Sequence, residues 1–331
     1  MKRAAARRLA RAGAAGTCVA HVSYGRPMST PAPALEAEVL TPVVGIGSVA
    51  DLAVARTAIG VEAGGNVWFA GANDLVRLDG RTLTSFRFGA TTVFSSIAAG
   101  PQGVVYFATT AGLVRFASGV FTLLRPQRIG PAVAHLATSP SGDAVFTVAD
   151  GVVTRIGLYD GTALRLLSPA ADYPPDLRIT RIGFDGAGEL VIGAVGGVAL
   201  QHAGTWTVIR GLDASSTFAP SIEAMVSAMG VMWLASPLGV YEYRGGTFAL
   251  HRTERPVVCL CVDGDEVWLG MRAGGLGRLR AGEISVFQPG GTLLPHEDVT
   301  DLVRGTDGRI WVLAGGGIAF IREGEIERLS G

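Results

Sequence analysis

The sequence predicts an all-β fold, and three observations carry that prediction. Apolar runs are short, β-branched and aromatic, and 47 glycines and 16 prolines in 331 residues mark dense turns rather than long helices. A phrase such as GELVIGAVGGVALQHAGTWTVIRG returns as GVMWLASPLGVYEYRGGTFALHR and as GRIWVLAGGGIAFIREGEIERL. One position anchors the recurrence: Trp68, Tyr106, Val145, Val191, Trp233, Trp268 and Trp311, at spacings of 38, 39, 46, 42, 35 and 43 residues. A repeat of this period signals a solenoid or a propeller.

Residues 1–35 read as a leader or as a mis-assigned extension, with Met28 an alternative start, and no structure is assigned to them. The domain is read from residue 36 to 331, with the repeats starting near residue 56. The segment EAEVLTP, 36–42, has the composition of an outer strand and is a candidate clasp onto the last repeat. Each repeat then reads as four strands, a to d; in the second copy they are SSIAA, VVYFAT, LVRFA and VFTLL. Strand b is almost wholly apolar, as expected for a strand covered on both faces. A Gly or Asp turn precedes each anchor. After it comes an aliphatic residue: Leu75, Leu113, Val152, Val198, Val240, Leu276 and Ile318. The residue before that aliphatic is Gly in every copy but the first, where it is Asp74. Turns such as ASGV, RGGT and RAGE close hairpins between c and d. A unit of about 40 residues cannot cover both its faces alone, whereas seven around one axis can. The predicted architecture is therefore a seven-bladed β-propeller of four antiparallel strands per blade, the last blade taking all its strands from the C-terminus.

The segment TLLPHEDVTDLVRGTDGRIWVLAGGGIAFI resembles the two-component regulator propeller repeat, as do GNVWFAGANDLVRLDG and GVVYFATTAGLVRFASG. The resemblance covers all seven copies, least closely the third and fourth, where Val replaces the aromatic anchor. It implies the propeller fold, a role in sensing or signal transduction, and an extracytoplasmic location. No kinase or receiver region follows the repeats here, so a signalling role is not carried over directly.

Composition excludes several function classes. There are 28 basic and 28 acidic residues, a balance that gives no electrostatic capture of nucleic acid. No uncharged apolar run reaches 18 residues, so no membrane-spanning helix is expected. The basic N-terminus is followed by a short, alanine-rich segment that makes a weak signal peptide. With the free thiols this favours the cytoplasm slightly, against the periplasm implied by the resemblance. Cys259 and Cys261 are two apart in VVCLCV and read as small buried hydrophobes rather than a metal or redox pair. A monomer is expected.

In this strand order the a–b and c–d turns share one face, and the b–c and d–a connections the other. The long irregular segments are all d–a loops, so binding is expected on that face. Counting ten residues back from each anchor, nine in the sixth copy, gives Ala58, Ser96, His135, Arg181, Glu223, Cys259 and Asp301. Equivalent positions on seven innermost strands form a ring around the channel. The candidate ligand-binding set is Ser96, His135, Arg181, Glu223 and Asp301, with Tyr173, Arg178, His296, Glu297 and Asp298 as its rim. The simplest alternative is architectural: an Arg181–Glu223 ion pair across adjacent blades.

No zinc spacing, nucleophile elbow or phosphate loop is present, and no cofactor or metal is expected. DGDE, 263–266, occupies a turn where Asp and Gly are favoured anyway. The expected function is non-enzymatic binding of a protein partner or a small polar ligand. The alternative is a metal-assisted lyase or hydrolase at the channel mouth. It rests on a resemblance to virginiamycin B lyase-like propellers, which implies that His135 and Glu223 would act with a divalent metal.

Overall fold

The computed structural model describes residues 11–12, 18–23, 35–52, 56–89, 92–126, 132–150, 153–210, 212, 220–291 and 293–328. Most of the leader, Met28 and Val152 included, and the d–a segments 127–131 and 213–219 lie outside the described residues. Seven antiparallel sheets follow one another along the chain. Blade 1 is Ala58–Val61, Val67–Ala70, Asp74–Asp79 and Thr82–Arg87, and blade 2 is Phe94–Ala99, Val105–Thr109, Gly112–Ala117 and Val120–Pro126. Blade 3 is Val133–Thr138, Ala144–Asp150, Val153–Tyr159 and Leu164–Leu166, and blade 4 is Ile179–Phe184, Leu190–Ala194, Gly197–His202 and Thr205–Arg210. Blade 5 is Ala224–Ala228, Val231–Ser236, Gly239–Arg244 and Thr247–Arg252, and blade 6 is Val257–Asp263, Glu266–Met271, Gly275–Arg280 and Glu283–Phe287. Blade 7 is Val299–Arg304, Ile310–Ala314, Gly317–Arg322 and Glu325–Arg328. The protein is a seven-bladed β-propeller almost without helix, as the sequence predicts.

The a strands touch in a cycle, each meeting the next and blade 7 meeting blade 1, so they line the axis. The core is divided in the same way. Seven apolar clusters each join two consecutive blades, including one between blade 7 and blade 1 built on Ile59, Phe69, Trp311 and Leu313. Strand b explains the division, because its successive side chains point to opposite faces. In blade 1, Trp68 and Ala70 enter the cluster shared with blade 2, while Val67 and Phe69 enter the one shared with blade 7. The anchor Trp68 is fully buried among Phe86, Phe107, Phe116 and Phe121. Each such burial contributes about 2–3 kcal/mol.

The glycine before the aliphatic residue of strand c is required by close approach. At Gly239 φ is +132°, and a Cβ would overlap the His251 carbonyl oxygen of strand d; at Gly197 it would overlap that of Ile209. Blade 1 tolerates Asp74 because its carboxylate receives the buried Arg56 guanidinium at 2.9 Å.

Part of the chain before blade 1 wraps the outside of the ring. Leu35–Leu40 adds a fifth strand to blade 2, beside Val120–Pro126, and Val43–Ile46 adds one to blade 1, beside Thr82–Arg87. Cys18–Ser23 pairs with the outer strand of blade 4. The segment 36–42 is therefore an outer strand, as expected, but it does not clasp the last blade. Blade 7 is complete without it, and the edge it covers belongs to blade 2.

Candidate functional site

All seven ring positions line one central cavity of about 1000 Å³. In four blades the ring position follows an extra residue that breaks the ladder between strands a and b. In blades 2, 4, 6 and 7 the extra residues are Ser95, Thr180, Val258 and Thr300. Such a bulge re-aims the neighbouring side chain, and here it turns the next residue toward the axis. Hydroxyls of the residue just before the ring position also stitch blades together. Thr57 Oγ1 donates to the Phe94 carbonyl at 2.6 Å, and Ser95 Oγ to that of Val133 at 3.4 Å. Among the described residues, the equivalent hydroxyl of Thr180 is buried without a hydrogen-bond partner.

The ring is not quite level. Ala58, Ser96, Arg181, Cys259 and Asp301 each pair with the residue two after the anchor of their blade. In blade 5 that partner, Ala235, pairs with Ala224, so Glu223 sits one residue nearer the d–a face. The a–b turn of blade 5 is one residue shorter than the spacing implied. In blade 3 the bulge lies one residue deeper, between Ala134 and Ala137, and His135 takes a φ of +47°. A non-glycine residue there is strained. Five positions are thus equivalent, and the two displaced ones still face the cavity.

Arg181 is the hub. Its Nη1 donates to the Thr180 carbonyl at 2.8 Å and meets His135 Nε2 at 3.2 Å, and its Nη2 lies 3.8 Å from Glu223 Oε2. The adjacent-blade ion pair read from the sequence is present, but long. Glu223 Oε1 is engaged by Ser221 Oγ. Asp301 is occupied by backbone: Oδ2 accepts the Ile59 N–H across the blade 7–blade 1 seam and Oδ1 accepts the Leu302 N–H, both at 2.9 Å. Burial pushes the Asp301 carboxyl up to about 6, against the pull of those two N–H groups and of Arg181. Burial, helped by the Arg181 charge, lowers His135 to about 4, so the imidazole is neutral at pH 7 and accepts from Arg181. Burial lowers Arg181 itself, opposed by Glu223 and Asp301. Cys259 is buried beside the Val299 carbonyl, and its thiol is raised well above the usual range, so it lines the wall as an inert group.

The cavity extends from the ring toward the opposite face from the one expected. Below the ring it is walled by Val61, Phe184, Met225, Val226 and Val303, and it reaches the a–b ends at Ala63, Pro101, Pro140, Asp185, Ser227 and Thr306. A smaller cavity of about 370 Å³, lined by Arg272, Asp298 and Thr300, lies on the d–a side, and Arg181 and Glu223 line both. The ring is a charged septum between the two.

The rim set does not assemble. Tyr173 is buried in the core between blades 3 and 4, and it is not a rim residue. Its loop folds inward, with Trp206 Nε1 bonded to the Asp172 carbonyl at 2.9 Å. Arg178 is exposed and lines neither cavity. His296 and Glu297 brace the loop: His296 Nδ1 accepts the Asp298 N–H at 3.0 Å, and the Glu297 carbonyl accepts the N–H groups of Gly274 and Gly275. Of the five, only Asp298 lines a cavity shared with the ring. Counting back from the anchors missed Arg272 of the b–c turn and Gly183, two residues beyond Arg181 on the same face of strand a.

No family model matches the chain, and no curated protein matches it. Among solved structures it is similar to the extracellular domain of a putative hybrid two-component system from B. thetaiotaomicron. That likeness has 14% identity and a TM-score of 0.68, over 85% of this chain and 40% of that one. It is also similar to a streptogramin B lyase, at 14% identity and a TM-score of 0.64, over 86% of this chain and 97% of that one. A catalytically inactive virginiamycin B lyase from Staphylococcus aureus with quinupristin gives 15% identity and 0.63, over 88% and 98% of the two chains. At these identities the likeness shows a propeller fold and no more.

Proposed function

We propose that this chain is a non-enzymatic binding module whose ligand enters the central cavity and is read by the polar ring at its inner end, in a sensory role. One observation carries the reading: side chains from separate blades converge on Arg181 at the end of a cavity of ligand size. The likeness to the extracellular domain of a two-component system supports the sensory role at the level of fold.

The arrangement favours binding over metal-assisted catalysis. The lyase alternative needs His135 and Glu223 to share a metal, and the Arg181 guanidinium contacts both of them instead. Among the described residues no three His, Cys, Asp or Glu side chains come together as a ligand set. The donor set present does not fit a divalent ion.

Gly183 gives a direct test. Its φ is ordinary, and a Cβ there would meet only the Met225 methyl, at 3.5 Å, so a leucine would project into the cavity without straining the strand. A thermal-shift screen of small polar metabolites is run on wild type and on Gly183→Leu. Compounds that stabilise the wild type only are expected. Hits that stabilise both equally would place binding elsewhere and reject the reading.

A further inference from the structure

We infer that the channel accepts a singly charged carboxylate carrying an apolar body, with Arg181 as the receptor for its head and Glu223 as an internal stand-in that the ligand displaces. This rests on the channel being the binding site. The first ground is the state of the three charges. Both oxygens of Asp301 are engaged by backbone N–H groups, and one oxygen of Glu223 by Ser221. Among the described residues, Arg181 makes its hydrogen bonds through Nη1 alone, to neutral acceptors. Its nearest acid, at 3.8 Å, is beyond hydrogen-bond distance. Three of the four carboxylate oxygens are thus hydrogen-bonded elsewhere, and the guanidinium meets no acid within hydrogen-bond distance, although its side chain is only 29% exposed. A guanidinium in that state is completed by a planar, two-oxygen acceptor.

The second ground is the wall. Beyond the ring the channel lining turns apolar, with Phe184, Met225, Val226 and Val303 contributed by blades 4, 5 and 7. Gly183, two residues beyond Arg181 on strand a, presents no side chain to the channel, and a Cβ there would meet only the Met225 methyl. A ligand lying along that wall presents one polar end to the ring and buries the remainder. The third ground is the charge balance. One guanidinium faces two acids on the same ring, so a dianion such as a phosphate monoester would bring uncompensated charge into a confined space. A single carboxylate replaces Glu223 at Arg181 without adding to the number of anions that contact it.

Three eight-carbon probes separate the possibilities: octanoate, octylamine and 1-octanol, each titrated calorimetrically at pH 7 into the intact chain. Octanoate is expected to bind saturably at one site. Binding should weaken at least tenfold in Arg181→Met, be partly retained in Arg181→Lys and be lost in Gly183→Leu. Glu223→Gln frees the guanidinium from its stand-in, so octanoate should bind severalfold more tightly to it than to wild type. A merely structural Glu223 would not produce that gain. If octylamine or octanol binds as well as octanoate, with sensitivity to Gly183→Leu, the carboxylate inference falls while the channel remains the site. If octanoate fails to bind, or Glu223→Gln weakens it, the inference is overturned. Should Arg181→Met not fold, Arg181→Lys and Glu223→Gln carry the same test.

Discussion

Two ring residues should give opposite pH dependences of stability, and substitution should separate them. His135 is lowered to about 4 from 6.5, so between those values the folded chain holds fewer protons than the unfolded one. Its contribution rises with pH across that window and is lost as pH falls through it. Asp301 is raised to about 6 from 3.8, so the folded chain holds more protons there, and its contribution falls as pH rises from 4 to 6. Each acts at up to roughly 1.4 kcal/mol per pH unit. Both side chains line a solvated cavity and are partly exposed, so about 1–2 kcal/mol over the window is the expected size of each. In the wild type the two largely cancel. The charged and titratable groups facing them are Arg181, which burial lowers, Glu223, and Cys259, which burial raises. Urea unfolding followed by tryptophan fluorescence at pH 4, 5, 6 and 7, taken as the difference from wild type, removes the background of other carboxylates. Asp301→Asn should unmask a stability that climbs with pH, and His135→Gln one that declines. Difference curves of the same sign, or flat ones for both, would refute the assignment of burial as the cause.

Other expectations follow from the scaffold. Gly239→Ala should cost about 2 kcal/mol or more, because its Cβ meets the backbone of strand d, whereas Gly80→Ala, at φ +58° with open space around it, should cost about 1; urea midpoints compare the two. Glu62 accepts both Trp68 Nε1 and Arg77 Nε at 2.7 Å from a buried position. Glu62→Leu should therefore lose roughly 2–4 kcal/mol and Glu62→Gln clearly less, with a shift in Trp68 emission in the first. Removing residues up to 46 bares the outer edges of blades 1 and 2. Faster amide exchange in 82–87 and 120–126, with concentration-dependent aggregation, is expected.

The blade plan was legible because its determinants are local. A two-sided apolar b strand, a glycine where c approaches d, and a turn before the anchor recur within one blade, so a single unit read correctly was read seven times. Register was less legible. The ladder, not the residue count, decides which side chain faces the axis, and a turn one residue shorter in blade 5 moves Glu223 without changing any motif. Tyr173 misled for a related reason. Its loop, SPAADYPPD, has loop composition, yet the ring it carries fills the gap between blades 3 and 4 that a Trp206 side chain also enters. The outer strand 35–40 was recognised by its composition, but its partner was not, since every blade offers a similar edge.

The chemistry of the ring was hidden by distance along the chain. His, Arg, Glu and Asp at equivalent positions read alike as candidate contacts, and composition gives no reason to rank them. The ranking comes from what each already holds. Asp301 is engaged by an N–H 242 residues earlier, which closes the ring between its first and last blades. Its carboxylate therefore serves the seam before it serves any ligand. His135 gives its lone pair to Arg181, 46 residues on. Among the described residues, Arg181 hydrogen-bonds only neutral acceptors, and its Nη2 lies 3.8 Å from the nearest carboxylate oxygen. A polar ring in a propeller is thus not a set of equal contacts. Closing a circle without a shared strand uses some of its groups, and the side chain left over is where a ligand has most to gain.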